Sequence, residues 1–240
     1  MSGHSKWETS HRQKELVDAK RGAIFTKLAN NISIAARKGG DPNSNTSLRS
    51  AIDKARESNM PKDNVDRAIK KGTGELGGAQ VEELYYEGLG AYGLQVIVKS
   101  VTDNKNRSAS TIRHIFTKTG GAFGAVMWNF SQQGVFMITK EELEAKKINF
   151  EDLELELIDN GAEDIKQEDE GLTIYCALVN FQRMTDFLDF KKIKTESGEL
   201  EYVAHEKITL NDEEKEKVEK FISELEDNED VSDYYLNTDL

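Results

Sequence analysis

Apolar residues recur first at helical and then at strand-like intervals, and the change of period divides the chain. Ile24, Phe25, Leu28, Ile32, Ala35 and Ala36 fall three or four apart ahead of Gly39-Gly40, the spacing of an amphipathic helix within 17–38 that ends at a glycine stop. A turn-rich stretch, Asp41-Pro-Asn-Ser-Asn45, leads to Leu48, Ala51, Ile52 and Ala55, which predict a second helix with Thr46 or Ser47 as N-cap. A third opens at Met60-Pro61-Lys62-Asp63, turns Val65, Ala68 and Ile69 inward and is expected to end at Gly72. Short connections make these a small bundle. Residues 72–80, Gly-Thr-Gly-Glu-Leu-Gly-Gly-Ala-Gln, have little to bury and read as a linker.

Beyond the linker, strands are expected over 83–88 and 94–101, then a helix over 108–118 carrying Ile112, Ile115 and Phe116. A second set follows: a strand over 134–139, a helix through Phe150, Leu153, Leu157 and Ile158, strands near 164–167 and 172–177, and a helix from Asn180 to about Phe190. Val203 to Leu210 reads as extended, Asp212 to Glu226 as a charged helix with Val218, Phe221, Ile222 and Leu225 inward, and 231–236 as a last strand. Strand pairs joined by short turns fit two small α+β sandwiches better than a parallel sheet.

Charge follows the same division. Residues 1–75 hold 15 Lys and Arg against 9 Asp and Glu, a net of +6, whereas 76–240 hold 17 against 35, a net of −18. The overall −12 therefore hides a basic front suited to phosphate and an acidic remainder suited to something else. At 100° per residue Lys20, Lys27 and Lys38 fall within about 20° of one another along one edge of the first helix. No segment has the apolar core of a signal peptide, and runs such as 94–98 are too short for a bilayer, so a cytoplasmic location and no membrane contact are expected.

Catalytic chemistry finds little purchase. Gly72-Thr-Gly-Glu-Leu-Gly77 and Gly88-Leu-Gly-Ala-Tyr-Gly93 have dinucleotide-fingerprint spacing, but neither lies between a strand and a helix, so both read as turn or linker glycines. The single cysteine, Cys176, reads as a buried thiol in a strand, and His4, His11, His114 and His205 as core or surface histidines rather than metal ligands or catalysts. No cofactor, metal or small-molecule substrate is indicated, and an enzyme is not expected. Thr102-Asp-Asn-Lys-Asn-Arg107 joins a strand to a helix that Asn106 or Ser108 can cap. Its Lys105 and Arg107 either meet an anion or simply hold a turn.

Gly3-His-Ser-Lys-Trp7, Asp18-Ala-Lys-Arg-Gly22, Ile24-Phe-Thr-Lys-Leu28, Ala35-Ala-Arg-Lys-Gly-Gly40 and Asn59-Met-Pro-Lys-Asp-Asn64 resemble the YebC/PmpR family, whose mitochondrial members are called translational activators. Ala68-Ile-Lys-Lys-Gly-Thr-Gly74, Tyr86-Glu-Gly88, Thr102–Arg107 and Gly120-Gly121 agree, so the resemblance runs nearly end to end. It implies an α+β protein: an N-terminal three-helix bundle (1–75) followed by two ferredoxin-like domains. The third (133–206) is inserted into the second (76–132 plus 207–240). It also implies no enzymatic activity and no cofactor. The leading expectation is a transcriptional regulator that binds promoter DNA. Lys20, Arg21, Lys27, Arg37 and Lys38 would contact phosphates, with Lys6, Arg12, Lys14, Lys62, Lys70 and Lys71 in support. The alternative is a ribosome-associated factor on ribosomal RNA that assists synthesis of proline-rich sequences.

Overall fold

In the first helix, α1 (Arg21–Ala36), apolar residues at helical spacing turn Ile32 and Ala36 inward, where they meet Leu48, Ile52 and Ala55 of α2 (Thr46–Glu57) and Val65 and Ala68 of α3 (Lys62–Thr73). The computed structural model describes residues 21–77 and 80–239. Helices α1 and α3 run side by side on small residues: Ser33 Oγ lies 2.9 Å from the carbonyl oxygens of both Ala29 and Ala68. Gly72 sits at this crossing, where a Cβ would collide with the Ser33 carbonyl oxygen and lie 2.8 Å from Ala36 Cβ. Gly72 is therefore a packing residue and not the expected stop. The helix continues to Thr73 and ends at Gly74, whose φ of +85° is left-handed.

The N-cap of α2 is Asn45, one residue before the expected Thr46 or Ser47. Its amide donates to the carbonyls of Ala35 and Gly39 at 2.8 Å, while its Oδ1 accepts from Leu48 N at 3.1 Å. A hydroxyl, with one proton, cannot serve two carbonyls and an amide at once. The end of α1 and the start of α2 are thus tied by one side chain.

The described strands form two four-stranded antiparallel sheets in two compact units. The first sheet takes β1 (Glu82–Leu89), β2 (Gln95–Thr102), β3 (Ala122–Phe123) and β8 (Val231–Leu236) in the order β3-β1-β2-β8. Helices α4 (Lys105–Lys118) and α8 (Asp212–Glu226) cover one face, burying Val96, Val98, Ile112, Phe116, Phe221 and Ile222 together. Gly88 lies directly beneath the Phe116 ring, which leaves no room for a Cβ. Helix α4 is capped by Asn104, not by Asn106 or Ser108. Ser108 is buried instead, 2.6 Å from Ser100 Oγ.

Between Val126 and Ile208 the chain makes the second unit, Met127–Lys207. Its elements are β4 (Phe130–Thr139), α5 (Lys140–Ala145), α6 (Phe150–Asp159), β5 (Ala162–Glu168), β6 (Gly171–Ala177), α7 (Phe181–Phe190) and β7 (Ser197–Ala204), with strand order β5-β6-β4-β7. This is the βαββαβ winding of ferredoxin-like folds, with α6 and α7 packed on Phe136, Ile138, Ile174 and Cys176. The expected extended run over 203–210 is corrected to β7 at Ser197–Ala204. Glu199-Leu-Glu-Tyr202 alternates polar and apolar residues as a half-exposed edge strand does, and the strand begins six residues before the expected run. Helix α8 begins at a capping box formed by Asn211 and Glu214.

Replacing Gly72 by alanine should lower stability by about 1–3 kcal/mol, read from urea unfolding, because the new methyl overpacks the α1–α3 crossing. Gly22→Ala, in a helical site with nothing within 4 Å, should instead be neutral or stabilising by about 0.5–1 kcal/mol.

Candidate nucleic-acid interface

The described part of the bundle, 21–75, carries 11 Lys and Arg against 6 Asp and Glu, and tertiary packing sorts these cations into two groups. Lys27 turns inward. Its Nζ donates to the Glu226 carbonyl at 2.6 Å, at the C-terminal end of α8. That helix has no basic residue in its own last turn, so Lys27 supplies the positive charge its dipole favours there. Burial pushes the Lys27 pKa down, and the carboxylates of Glu226, Asp233, Asp227 and Glu229 act in the opposite direction. Asn30 and Asn31 extend the same seam, Asn30 donating to the Val101 carbonyl at 3.2 Å and Asn31 accepting from Ser232 Oγ at 3.0 Å. Lys27, which the helical spacing sets on an edge of the apolar stripe, thus faces the first sheet and α8.

The second group faces solvent. Arg37 and Lys38 follow the last turn of α1, and Lys62, Arg67 and Lys70 line the outer side of α3. Gly40, just past Lys38, lies against Ile69 and Thr73, which brings Arg37, Lys38 and Lys70 to one end of the bundle. Arg37 reaches the Val81 carbonyl at 3.4 Å and Gln80 Oε1 at 3.5 Å, contacts too long to hold it firmly. Lys71 turns from this group to pair with Asp103 at 3.5 Å. Arg49 and Arg67, both exposed, were absent from the expected set; Arg67 sits three residues before Lys70, a spacing that would have revealed it. Lys6, Arg12, Lys14 and Lys20 lie outside the described residues, and for Arg21 only the backbone is described.

The motif Thr102–Arg107 resolves in favour of a turn. Arg107 grips Asp230 with two hydrogen bonds, 2.7 and 3.1 Å, and touches Asp103 at 3.3 Å; the Asp230 bonds, then its charge, raise the guanidinium pKa. Lys105 pairs with Glu82 at 2.6 Å. Both cations are taken by carboxylates. His114 and His205 are exposed, and Cys176 is fully buried with burial pushing its thiol pKa up.

Two family models match the chain in succession: the TACO1/YebC protein N-terminal domain over residues 5–75 and the TACO1/YebC second and third domain over 81–238. The chain belongs to the TACO1/YebC family. Similar proteins include a probable transcriptional regulatory protein of Thermoanaerobacter pseudethanolicus, 45% identical across 100% of this chain and 98% of its own. Another, from Caldanaerobacter subterraneus, is 44% identical across 100% and 99%. A crystal structure of a conserved hypothetical protein from Aquifex aeolicus superposes with a TM-score of 0.79 at 36% identity, covering 92% of this chain and 91% of that one. In this TACO1/YebC chain the boundary between the two family models, 76–80, coincides with the change from basic to acidic sequence.

Because Lys27 has a lower pKa folded than unfolded, the unfolded chain binds more protons between the two values. Stability should therefore rise with pH through that window toward the ordinary lysine range. Lys27→Met should shrink the gain in unfolding free energy as pH rises from neutral toward the ordinary lysine range. Lys54, whose pKa burial also lowers, should leave a residual slope. Arg107→Ala should cost about 2–3 kcal/mol, allowing for the half-exposed guanidinium, because it strands the buried Asp230 carboxylate. Lys105→Ala, losing an exposed pair, should cost less than about 1 kcal/mol in the same urea titration.

Proposed function

We propose that this TACO1/YebC protein is a non-enzymatic cytoplasmic regulator of transcription that binds promoter DNA through the backbone phosphates. The cations exposed on its N-terminal bundle would make the contacts. The observation that carries the reading is the gathering of Arg37, Lys38 and Lys70 at one end of the bundle, with Arg67 one turn back on α3 and Lys62 exposed at the start of that helix. No carboxylate among the described residues pairs with any of the five. Guanidinium and ammonium groups so placed release counterions when they meet phosphate, which gives affinity without sequence reading. The names of the relatives, probable transcriptional regulatory proteins, support the regulatory role. Arg21, Lys6, Arg12, Lys14 and Lys20 are proposed as further phosphate contacts on the strength of the sequence alone.

One observation favours a second reading, in which the phosphate belongs to ribosomal RNA and the protein acts on translation at the ribosome. Residues 76–240 carry a net charge of −18, which a long DNA duplex would repel and which ribosomal proteins, being cationic partners, would not. Crosslinking in cells followed by sequencing of both DNA and RNA separates the two: discrete promoter fragments support the first, a single ribosomal RNA site the second.

Both readings predict that replacing Arg37, Lys38 and Lys70 by alanine weakens binding and flattens the dependence of log K on log salt by about 2–3 units. Lys27→Ala, whose ammonium faces inward, should leave that slope unchanged. A triple variant with the slope of the parent protein would remove this end of the bundle from the interface.

A further inference from the structure

Nine large apolar side chains stand out exposed among the described residues, and five of them fall on one helical layer of the inserted unit: Leu155, Ile158, Leu178, Val179 and Phe190. Helix α6 turns Leu153 and Leu157 into the core, yet Leu155 and Ile158, three residues apart on the outward side, remain 66% and 53% exposed. Hydrogen bonds draw the other three beside them. Arg183 Nη2 donates to the Asp159 carbonyl at 2.6 Å and Asn180 Nδ2 to the Gly161 carbonyl at 3.5 Å, setting the turn at Leu178–Asn180 against the end of α6. At the other end of α7, Lys191 pairs with Glu156 in the middle of α6, and its chain neighbour Phe190 is 82% exposed. Val179 is 86% exposed. Clustered apolar side chains left in water on a folded surface mark an interaction site more often than singly scattered ones do.

The charges around them define what can bind. Residues 150–194 hold 12 Asp and Glu against 5 Lys and Arg, and α6 alone carries Glu151, Asp152, Glu154, Glu156 and Asp159 without a base. We propose that the outer face of α6 and α7 docks a basic amphipathic segment of another protein. The segment's apolar side would cover Leu155, Ile158, Val179 and Phe190, and its lysines and arginines would meet the α6 carboxylates. Nucleic acid and anionic membrane are repelled by this face, and so is the same face of a second copy. A cationic apolar segment is the occupant that satisfies both observations together. This inference does not depend on which nucleic acid the bundle binds.

The test uses the full chain and a dye-labelled model peptide of about 18 residues with leucine and lysine at helical spacing, read by fluorescence anisotropy. A control peptide has every leucine replaced by serine at the same charge. The leucine peptide should bind at least about tenfold more tightly than the control and lose about tenfold or more in affinity against L155S/V179S. These are solvent-facing sites whose replacement should leave the melting temperature unchanged, a point the same samples verify. Equal binding of the two peptides would reduce the face to a diffuse acidic surface and overturn the proposal. So would binding to L155S/V179S as tight as to the parent chain. Self-association in sedimentation equilibrium that is abolished by L155S/V179S would assign the face to a second copy, and equally overturn it.

Discussion

Strand β2 is buried along its length, with Val96, Ile97 and Val98 fully enclosed, so the amides and carbonyls on its outer edge must find partners within the protein. An unpaired backbone group at that depth costs about 1–3 kcal/mol, and several lie in a row. The chain satisfies them with its last strand: β8 pairs with β2 from Val96↔Leu236 to Ser100↔Val231, after an excursion of 81 residues through the inserted unit. Much of the first unit depends on that closure. It sets Asp230 beside Arg107, the end of α8 beside Lys27 and Ser232 beside Asn31, so residues far apart in sequence hold the bundle to its sheet.

That seam divides the positive charge of the N-terminal third between two tasks. Helix α8 is acidic and ends without a cation of its own, and Lys27 provides one from α1. The ammonium gives up water for a carbonyl and four nearby carboxylates, a trade that helps to anchor the bundle and removes it from the outer surface. Among the described residues no carboxylate pairs with Arg37, Lys38, Lys62, Arg67 or Lys70, and all five are exposed. A basic helix is thus a cationic surface only on the sides that its neighbours leave open. The acidic remainder is likewise uneven: in the inserted unit it surrounds apolar side chains, which distinguishes that face from an ordinary solvated helix.

Much of this architecture was legible in the sequence. Helix α8 and strand β8 fall where the apolar spacing places them, at Asp212–Glu226 and Val231–Leu236. The α+β class, the helical front and the family follow from periodicity and motifs. The misplacements share a cause. Gly72 read as a stop because glycine usually is one, while here it admits the backbone of α1. Asn45 lies in a stretch that reads as a turn, and its double duty to α1 and α2 is visible only once both helices are in place. Strand β7 starts before the expected run because its pairing with β4, as far as Met137↔Ser197, is a long-range contact.

The sequence by itself determined local and statistical properties: where helices and strands form, which third is basic, which family the motifs belong to. Those depend on residues a few positions apart or on sums along the chain. The tertiary structure decided which cations face water and which are consumed internally. It also decided that Arg107 serves Asp230 rather than an anion, and that Leu155 and Ile158 point outward beside Val179 and Phe190. Each of these is a contact between segments whose proximity is fixed by sheet closure and helix packing, and no periodicity within one segment encodes the charge or the surface of another.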